Sequence, residues 1–553
     1  MAGQPTTDPI ASLRDAVESA AIELGAQSSA GLTLERPPKP EHGDYSTNAA
    51  MLLAPVVGSS PRDVAERLRE TIAARLESAA SRIEVAGPGF VNIFLSDRWH
   101  REATLGLLAA AEATANTAAE RRERVLVEFV SANPTGPVTV AAARGAAYGD
   151  SLARLFERSG YPVEREYYLN DAGSQIQLFA QSIAARMRGN EPPADGYTGE
   201  YVAELAAELE ASGHSPDDLE ALARDGTEAM RTRIESTLER FRVRFDTWSS
   251  ERDLYDRGFV EEAVAELRRL GHVYESDGAV WLRTTDFGDD KDRVLIRENG
   301  EPTYFTADIA YHRDKVHRGA ELMITPVGAD HHGYVPRMIA GLEAIGIERG
   351  RYEAPIMQLV NIVDGGQRAR MSKRKGDFVE LDALIDDIGV DAARFFMVQR
   401  GHETAFDLDL DLARSESQDN PVYYVQYAHA RIASILRKAA DEGGGDGDHP
   451  LIAAASQEAP LATAAEASER ALVRRLLELP AEIATATERR APHRLCAFAM
   501  ATAADFHAFY RDCRVVGAPE KGAEAARLAL CLATGQTIAT TLGLLGVSAP
   551  ERM

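Results

Sequence analysis

Cysteine is scarce: the 553 residues contain only Cys496, Cys513 and Cys531, odd in number, far apart and confined to the C-terminal part. That excludes a disulfide framework and a four-cysteine zinc site, and leaves buried thiols in a reducing compartment as the expectation. Long apolar runs are missing as well. None approaches the roughly 20 residues that cross a bilayer, and the first 30 residues lack the basic-then-apolar pattern of an export signal, so a soluble cytoplasmic protein is expected. Positive charge is in deficit, with 61 Lys and Arg against 86 Asp and Glu and a net charge of −25. Indiscriminate binding to a polyanion is thereby disfavoured. The deficit is uneven, since residues 466–553 hold 11 basic against 10 acidic side chains, so a polyanionic partner would have to meet local basic faces. No third ligand stands at zinc-like spacing from the adjacent His331 and His332, and no metal site is expected.

The chain is long enough for two to four domains. Residues 1–118 alternate amphipathic helical segments (10–24, 62–80) with a short apolar run at 89–95, the pattern of a small α+β domain. Its loop Glu41-His42-Gly43-Asp44-Tyr45-Ser46-Thr47-Asn48 precedes a helix start, with Ser46 or Thr47 the expected cap. Residues 119–405 read as an α/β domain with a parallel sheet. A β-rich run at 125–130, a Pro/Gly turn, a helical stretch at 141–159 and a strand at 163–169 form a βαβ unit. An acidic helical insertion is expected at about 181–285, followed by strand-like runs at 302–306, 322–327 and 356–363 and a helix at 333–346. After about 405 strands are expected to disappear, leaving a helical bundle over 406–553 broken by the Gly/Asp-rich stretch 442–450.

In an open parallel sheet, ligands bind at the carboxyl ends of the strands where the strand order reverses. The first strand of the βαβ unit delivers Glu128 and then Ser131-Ala132-Asn133-Pro134-Thr135-Gly136-Pro137 to that place. A glutamate in an apolar strand needs a cationic or hydrogen-bonding partner, and an internal salt bridge would meet that need as well as a ligand would. The segment Val127-Glu128-Phe129-Val130-Ser131-Ala132-Asn133-Pro134-Thr135-Gly136-Pro137 resembles the class I arginyl-tRNA synthetases. So do Tyr167-Tyr168-Leu169-Asn170-Asp171-Ala172-Gly173, Tyr304-Phe305-Thr306-Ala307-Asp308, Gly328-Ala329-Asp330-His331-His332-Gly333, Arg370-Met371-Ser372-Lys373-Arg374 and Asn420-Pro421-Val422-Tyr423-Tyr424-Val425-Gln426-Tyr427, in the same order.

The resemblance implies a Rossmann-like catalytic domain, an added N-terminal domain, and an anticodon-binding bundle. It also implies joining of L-arginine to tRNA(Arg) with ATP. Mg²⁺ arrives with ATP as part of the substrate, without a tightly bound cofactor, and family members are commonly monomers. Carried over residue by residue, Glu128 and Asn133 look like ligands of the amino-acid end, and Tyr304 with Asp308 like the guanidinium clamp. Such a clamp suits a planar, permanently charged group. Asp308 reads equally as a helix-start residue. Asn133, Pro134, Thr139, Ala142, Asp330, His332, Met371, Ser372 and Lys373 match the ATP site, with Lys373, Arg374 and Thr139 nearest the chemistry.

One departure stands out. The family's His-x-Gly-His motif, whose imidazoles contact ATP, reads Thr139-Val140-Ala141-Ala142 here. Losing one donor to transition-state charge costs about 10²–10³ in rate. Activity is expected to survive through the helix N-terminus, Thr139 and the basic loop around Lys373. A catalytically impaired paralogue that binds tRNA or arginine, and a different nucleotidyl-transfer enzyme, are the alternatives. For RNA contact the resemblance favours Tyr427, Arg431, His507 and Tyr510 in the bundle and Asn92 in the N-terminal domain, where a strand-end hydrogen bond is an equal alternative.

Overall fold

Helix-period and strand-period segments alternate through most of the chain, and in the computed structural model they segregate into three regions. The structure describes residues 9–28, 31–37, 39–113, 122–368, 379–443, 466–519 and 522–553. The expected Gly/Asp-rich break therefore lies almost wholly outside the described residues.

The first region contains α1 (Pro9–Glu23), β1 (Leu34–Glu35), β2 (Tyr45–Thr47), α2 (Ala49–Val57), α3 (Pro61–Leu76), β3 (Ala80–Ala86), β4 (Phe90–Leu95) and α4 (Asp97–Ala113). Its antiparallel sheet has the order β1-β2-β4-β3. Ser60 starts α3 by accepting from the Asp63 amide at 3.2 Å, with Pro61 in the first turn. The expected cap at Ser46 or Thr47 is displaced by one residue: Asn48 occupies the cap position of α2, while Thr47 Oγ1 accepts from the Ala49 amide at 3.2 Å.

The central region begins with β5 (Val125–Glu128), α5 (Val140–Arg158), β6 (Val163–Leu169), α6 (Ser174–Met187), α7 (Glu200–Ala211), α8 (Leu219–Arg240), β7 (Thr247–Ser250), α9 (Glu251–Asp256) and α10 (Phe259–Arg269). There follow β8 (Val273–Ser276), β9 (Ala279–Leu282), β10 (Arg293–Ile296), α11 (Tyr304–His317), β11 (Leu322–Ile324), β12 (Val327–Gly328), α12 (Val335–Ala344), β13 (Tyr352–Glu353), β14 (Ile356–Met357), β15 (Val360–Asp364), β16 (Gln367–Arg368), α13 (Leu381–Val398) and β17 (Phe406–Asp409). The main sheet is parallel, in the order β13-β11-β5-β6-β7.

Three expectations are corrected here. The stretch 181–285 is not purely a helical insertion, because β7 within it forms the edge of the main sheet and β8 and β9 build a small antiparallel sheet with β10. Residues 302–306 are not a strand: after an isolated bridge between Pro302 and Ile296 the chain turns helical at Tyr304, with Thr303 at the cap position. Strands do not end at 405, since β17 pairs in parallel with β15.

The last region adds α14 (Leu410–Arg414), α15 (Pro421–Gly443), α16 (Ala467–Leu477), α17 (Leu479–Glu488), α18 (His493–Asp512) and α19 (Ala523–Leu544). The three cysteines are free and buried. Among the described residues no helix is long and apolar enough to cross a membrane, and no cluster of three metal-ligating side chains occurs.

One buried arginine ties these parts together. Arg394 in α13 is fully enclosed and donates from Nη2 to Asp150 Oδ2 of α5 at 2.5 Å, from Nη1 to the Phe241 carbonyl at 2.9 Å and from Nε to the Leu545 carbonyl at 2.8 Å. Gly546 adopts φ +67°, and a Cβ there would fall 2.3 Å from the guanidinium carbon. Arg470 pairs with Asp97 at 2.7 Å and Arg474 with Asp44, joining α16 to the N-terminal region. Replacing Arg394 with Met leaves Asp150 to Arg154 (2.8 Å) and Arg165 (3.6 Å) and removes the buried donor to the Phe241 and Leu545 carbonyls, and removing one partner of a buried ion pair costs about 3–5 kcal/mol. A large drop in thermal midpoint is expected for Arg394→Met, and also for Gly546→Ala, in calorimetry.

Candidate active site

Strand order reverses between β11 and β5, where Val127 sits beside Ile324 in parallel register, so a crevice opens beyond their carboxyl ends. Glu128 ends β5, and the chain then turns sharply through Val130 (φ 71°) and Ser131 (φ 40°). Left-handed backbone at a β-branched residue is strained by about 1–3 kcal/mol and persists where surrounding bonds fix it. Those bonds are present. The Tyr167 hydroxyl donates to the Ala132 carbonyl at 2.9 Å and accepts from its amide at 3.0 Å, and Ser131 Oγ accepts from the Tyr168 amide at 3.2 Å.

The cationic partner that Glu128 needs is internal: Lys315 Nζ lies 2.5 Å from Glu128 Oε2, with both side chains buried, and Ser131 Oγ donates to Oε1 at 2.9 Å. Burial opposes ionisation of Glu128, but Lys315 above all holds its pKa below the ordinary carboxylate value. Asn133 is half-buried with its amide on the Gln175 carbonyl oxygen, and Pro134 is buried.

Asp308 faces the same crevice from α11, five residues past the capping position, so it is not the helix cap that its neighbours in sequence suggest. It accepts from the Tyr334 hydroxyl. Burial, with the charge of Glu128 adding to it, pushes its pKa up to about 6. Sequence reasoning missed Glu251, the first residue of α9. It is 3% exposed, its Oε2 has no hydrogen-bond partner, and burial, then the charges of Asp308 and Asp171, raise its pKa to about 7. Tyr168 packs against Tyr311 near it, with ring centroids 4.5 Å apart and the planes tilted by 41°. Among the described residues neither Asp308 nor Glu251 forms an ion pair. Two carboxyl groups held this way among aromatic faces suit a permanent, planar cation. Tyr304 heads α11 at 64% exposure, at the mouth of the pocket.

At the nucleotide edge, Thr139 takes the cap position of α5 without a side-chain bond to the helix. The first helical amide is less open than expected, because Val140 N donates to the Val379 carbonyl at 3.0 Å, Leu381 N donates to the Val138 carbonyl at 2.8 Å, and Thr139 bridges Glu380. Ala142 is half-buried, while Asp330 and His332 are exposed in the turn after β12. Met371, Ser372, Lys373 and Arg374 lie outside the described residues.

The four residues expected to meet RNA in the bundle converge. Arg431 lies over the rings of Tyr427 (4.7 Å) and Tyr510 (5.1 Å), and His507 packs 6.1 Å from Tyr427. Asn92, expected to meet RNA, is 4% exposed and accepts from Ser46 Oγ at 2.8 Å, the strand hydrogen bond that stood as the alternative.

The class follows from this sheet, its crevice and three matching family models: "tRNA synthetases class I (R), catalytic domain" over residues 105–407, "Arginyl tRNA synthetase N terminal domain" over 11–95 and "DALR anticodon binding domain" over 425–553. This is a class I aminoacyl-tRNA synthetase scaffold. The chain is 46% identical over 534 residues to an arginine–tRNA ligase of Frankia alni, covering 94% of this chain and 95% of that one. It is 44% identical over 561 residues to an arginine–tRNA ligase of Desulforudis audaxviator, covering 98% and 97%. The solved Thermus thermophilus arginyl-tRNA synthetase superposes with a TM-score of 0.72 at 26% identity, covering 98% of this chain and all of that one. The chain belongs to the arginyl-tRNA synthetase family.

The two raised carboxyl pKa values carry a sign. Against the ordinary 3.8 and 4.5, values of about 6 for Asp308 and about 7 for Glu251 mean that the stability favouring their protonated forms is present below about pH 4 and lost as pH rises through 6 to 7. A guanidinium ligand reverses that penalty, so it binds most tightly above pH 7. With both groups required ionised, affinity for L-arginine should fall by about two orders of magnitude between pH 8 and pH 5.5, measured by calorimetry. Glu251→Gln should leave a single titration near 6.

Proposed function

We propose that the chain is an arginine–tRNA ligase, which activates L-arginine with ATP and transfers it to tRNA(Arg). The observation that carries this reading is the pair Asp308 and Glu251: two desolvated carboxyl groups on the helices that follow the sheet strands, close enough that the charge of Asp308 bears on Glu251. In this reading the guanidinium lies between them, with Tyr304 closing the mouth. The α-amino end lies towards Asn133 and Glu128, the latter already balanced by Lys315. The arginine carboxylate oxygen attacks the α-phosphorus of ATP, the bond to the bridging oxygen breaks, and pyrophosphate leaves. A ribose hydroxyl of the terminal tRNA adenosine then attacks the arginyl carbonyl, and AMP departs. Positioning and electrostatics supply the rate.

Thr139, Pro134, Ala142, Asp330 and His332 border the nucleotide, and Met371, Ser372, Lys373 and Arg374 are assigned to its phosphates by resemblance. Mg²⁺ enters with ATP. The Tyr427, Arg431, His507 and Tyr510 face takes anticodon bases by stacking, and Asn92 reaches RNA only by exchanging its bond to Ser46. The protein acts as a cytoplasmic monomer.

A second reading, an impaired paralogue that binds arginine or tRNA without activating the amino acid, is favoured by one observation. Thr139-Val140-Ala141-Ala142 offers no imidazole, and the Val140 amide is already bonded to Val379.

The deciding experiment is arginine-dependent ATP–pyrophosphate exchange with and without tRNA(Arg): exchange only with tRNA is expected, and none under any condition leaves the paralogue. Asp308→Asn and Glu251→Gln should each lower kcat/KM for arginine by about 10²-fold, the cost of leaving a desolvated charge unpaired. Glu128→Ala is a poorer test, because it also strands Lys315.

A further inference from the structure

Helix α15 is hydrogen-bonded to α13, and the start of α13 is in turn hydrogen-bonded to the N-terminus of α5. Gln426 precedes Tyr427 in α15 and is 8% exposed. Its Nε2 donates to Asp391 Oδ2 and to the Ser548 carbonyl, both at 2.9 Å. Asp391 also accepts from the Ser548 amide at 2.9 Å, from the Ser548 hydroxyl and from Arg242. One carboxylate therefore gathers α15, the segment after α19 and the segment after α8.

Asp391 sits in α13, two residues beyond Gly389. There the backbone leaves helical geometry (φ 76°, ψ 158°) and divides α13 into two halves, with open space where a Cβ would point. The near half begins at the pairing of Val379 and Glu380 with Val140 and Thr139 on α5. The far half carries Arg394, which grips Asp150 in the middle of the same α5. α5 is thus held by both halves of a broken helix. Packed interfaces of this kind shift between discrete arrangements rather than deforming smoothly.

We propose that Asp391 is a positioning residue for amino-acid activation, transmitting the seating of RNA on the Tyr427 face of α15, through Gln426, to the paired N-termini of α5 and α13. It rests on the arginine–tRNA ligase reading. RNA stacking on Tyr427 and Arg431 shifts α15, Gln426 carries that shift to Asp391, and Gly389 absorbs the change of angle. Gln426, Asp391 and Ser548 lie outside the residues assigned above to arginine, ATP and RNA.

The test uses the full-length protein and a tRNA(Arg) transcript, with Kd from filter binding and kcat and KM from tRNA-dependent ATP–pyrophosphate exchange. Gln426→Ala and Asp391→Asn should hold Kd and KM for tRNA within about twofold while kcat falls on the order of tenfold, in the range of a typical coupling. Should Asp391→Asn fail to fold, Ser548→Ala removes a single hydroxyl from an exposed residue and should show a smaller loss of the same kind. Weakened RNA binding with unchanged kcat overturns the coupling. Exchange absent from the wild type itself overturns the ligase reading and this inference with it, whereas normal wild-type exchange with unaltered variants overturns this inference alone.

Discussion

The contact on which the architecture turns is the buried pair of Arg394 and Asp150. Taking two charges out of water costs several kcal/mol per ion, so the pair persists only because the guanidinium is also spent on the carbonyls of Phe241 and Leu545. Those acceptors belong to different parts of the chain, and the geometry is met only when α5, α13, the end of α8 and the segment after α19 are all in place. The sharp turn at Gly546 exists to let that guanidinium in. Domain placement is thus specified by one side chain with little tolerance, rather than by broad apolar contact alone.

The active-site crevice follows a related logic with opposite outcome. Glu128 is satisfied inside the protein by Lys315, so it contributes a fixed, neutralised pair beneath the pocket. Asp308 and Glu251 have no cationic partner among the described residues, and burial raises both pKa values, helped by the charge of Glu128 at Asp308 and by those of Asp308 and Asp171 at Glu251. The difference between a settled carboxylate and two unsettled ones marks where a cation belongs.

Much of this was legible in the residues. The strand at 163–169 and the helix after the Pro/Gly turn follow from their apolar periodicity, and Tyr427, Arg431, His507 and Tyr510 do assemble into one face. What was hidden depends on contacts between distant segments. Glu251 follows a serine cap at an ordinary helix start, and nothing local distinguishes it until α11 brings Asp308 alongside. The edge strand Thr247-Trp248-Ser249-Ser250 is half-exposed throughout and carries no alternation to read. Thr303, Tyr304 and Phe305 have strand-like propensity, which the helix capped at Thr303 overrides. Lys315 lies one turn from the end of a helix with basic neighbours, and its burial against Glu128 is a tertiary fact.

The ion pairs of Arg474 with Asp44 and of Arg470 with Asp97 close the molecule on itself, because the region before the parallel sheet and the region after it grasp each other directly. The sheet is consequently strung across a ring instead of hanging at the end of a tether. Neither outer region can then swing away from the other without breaking both pairs.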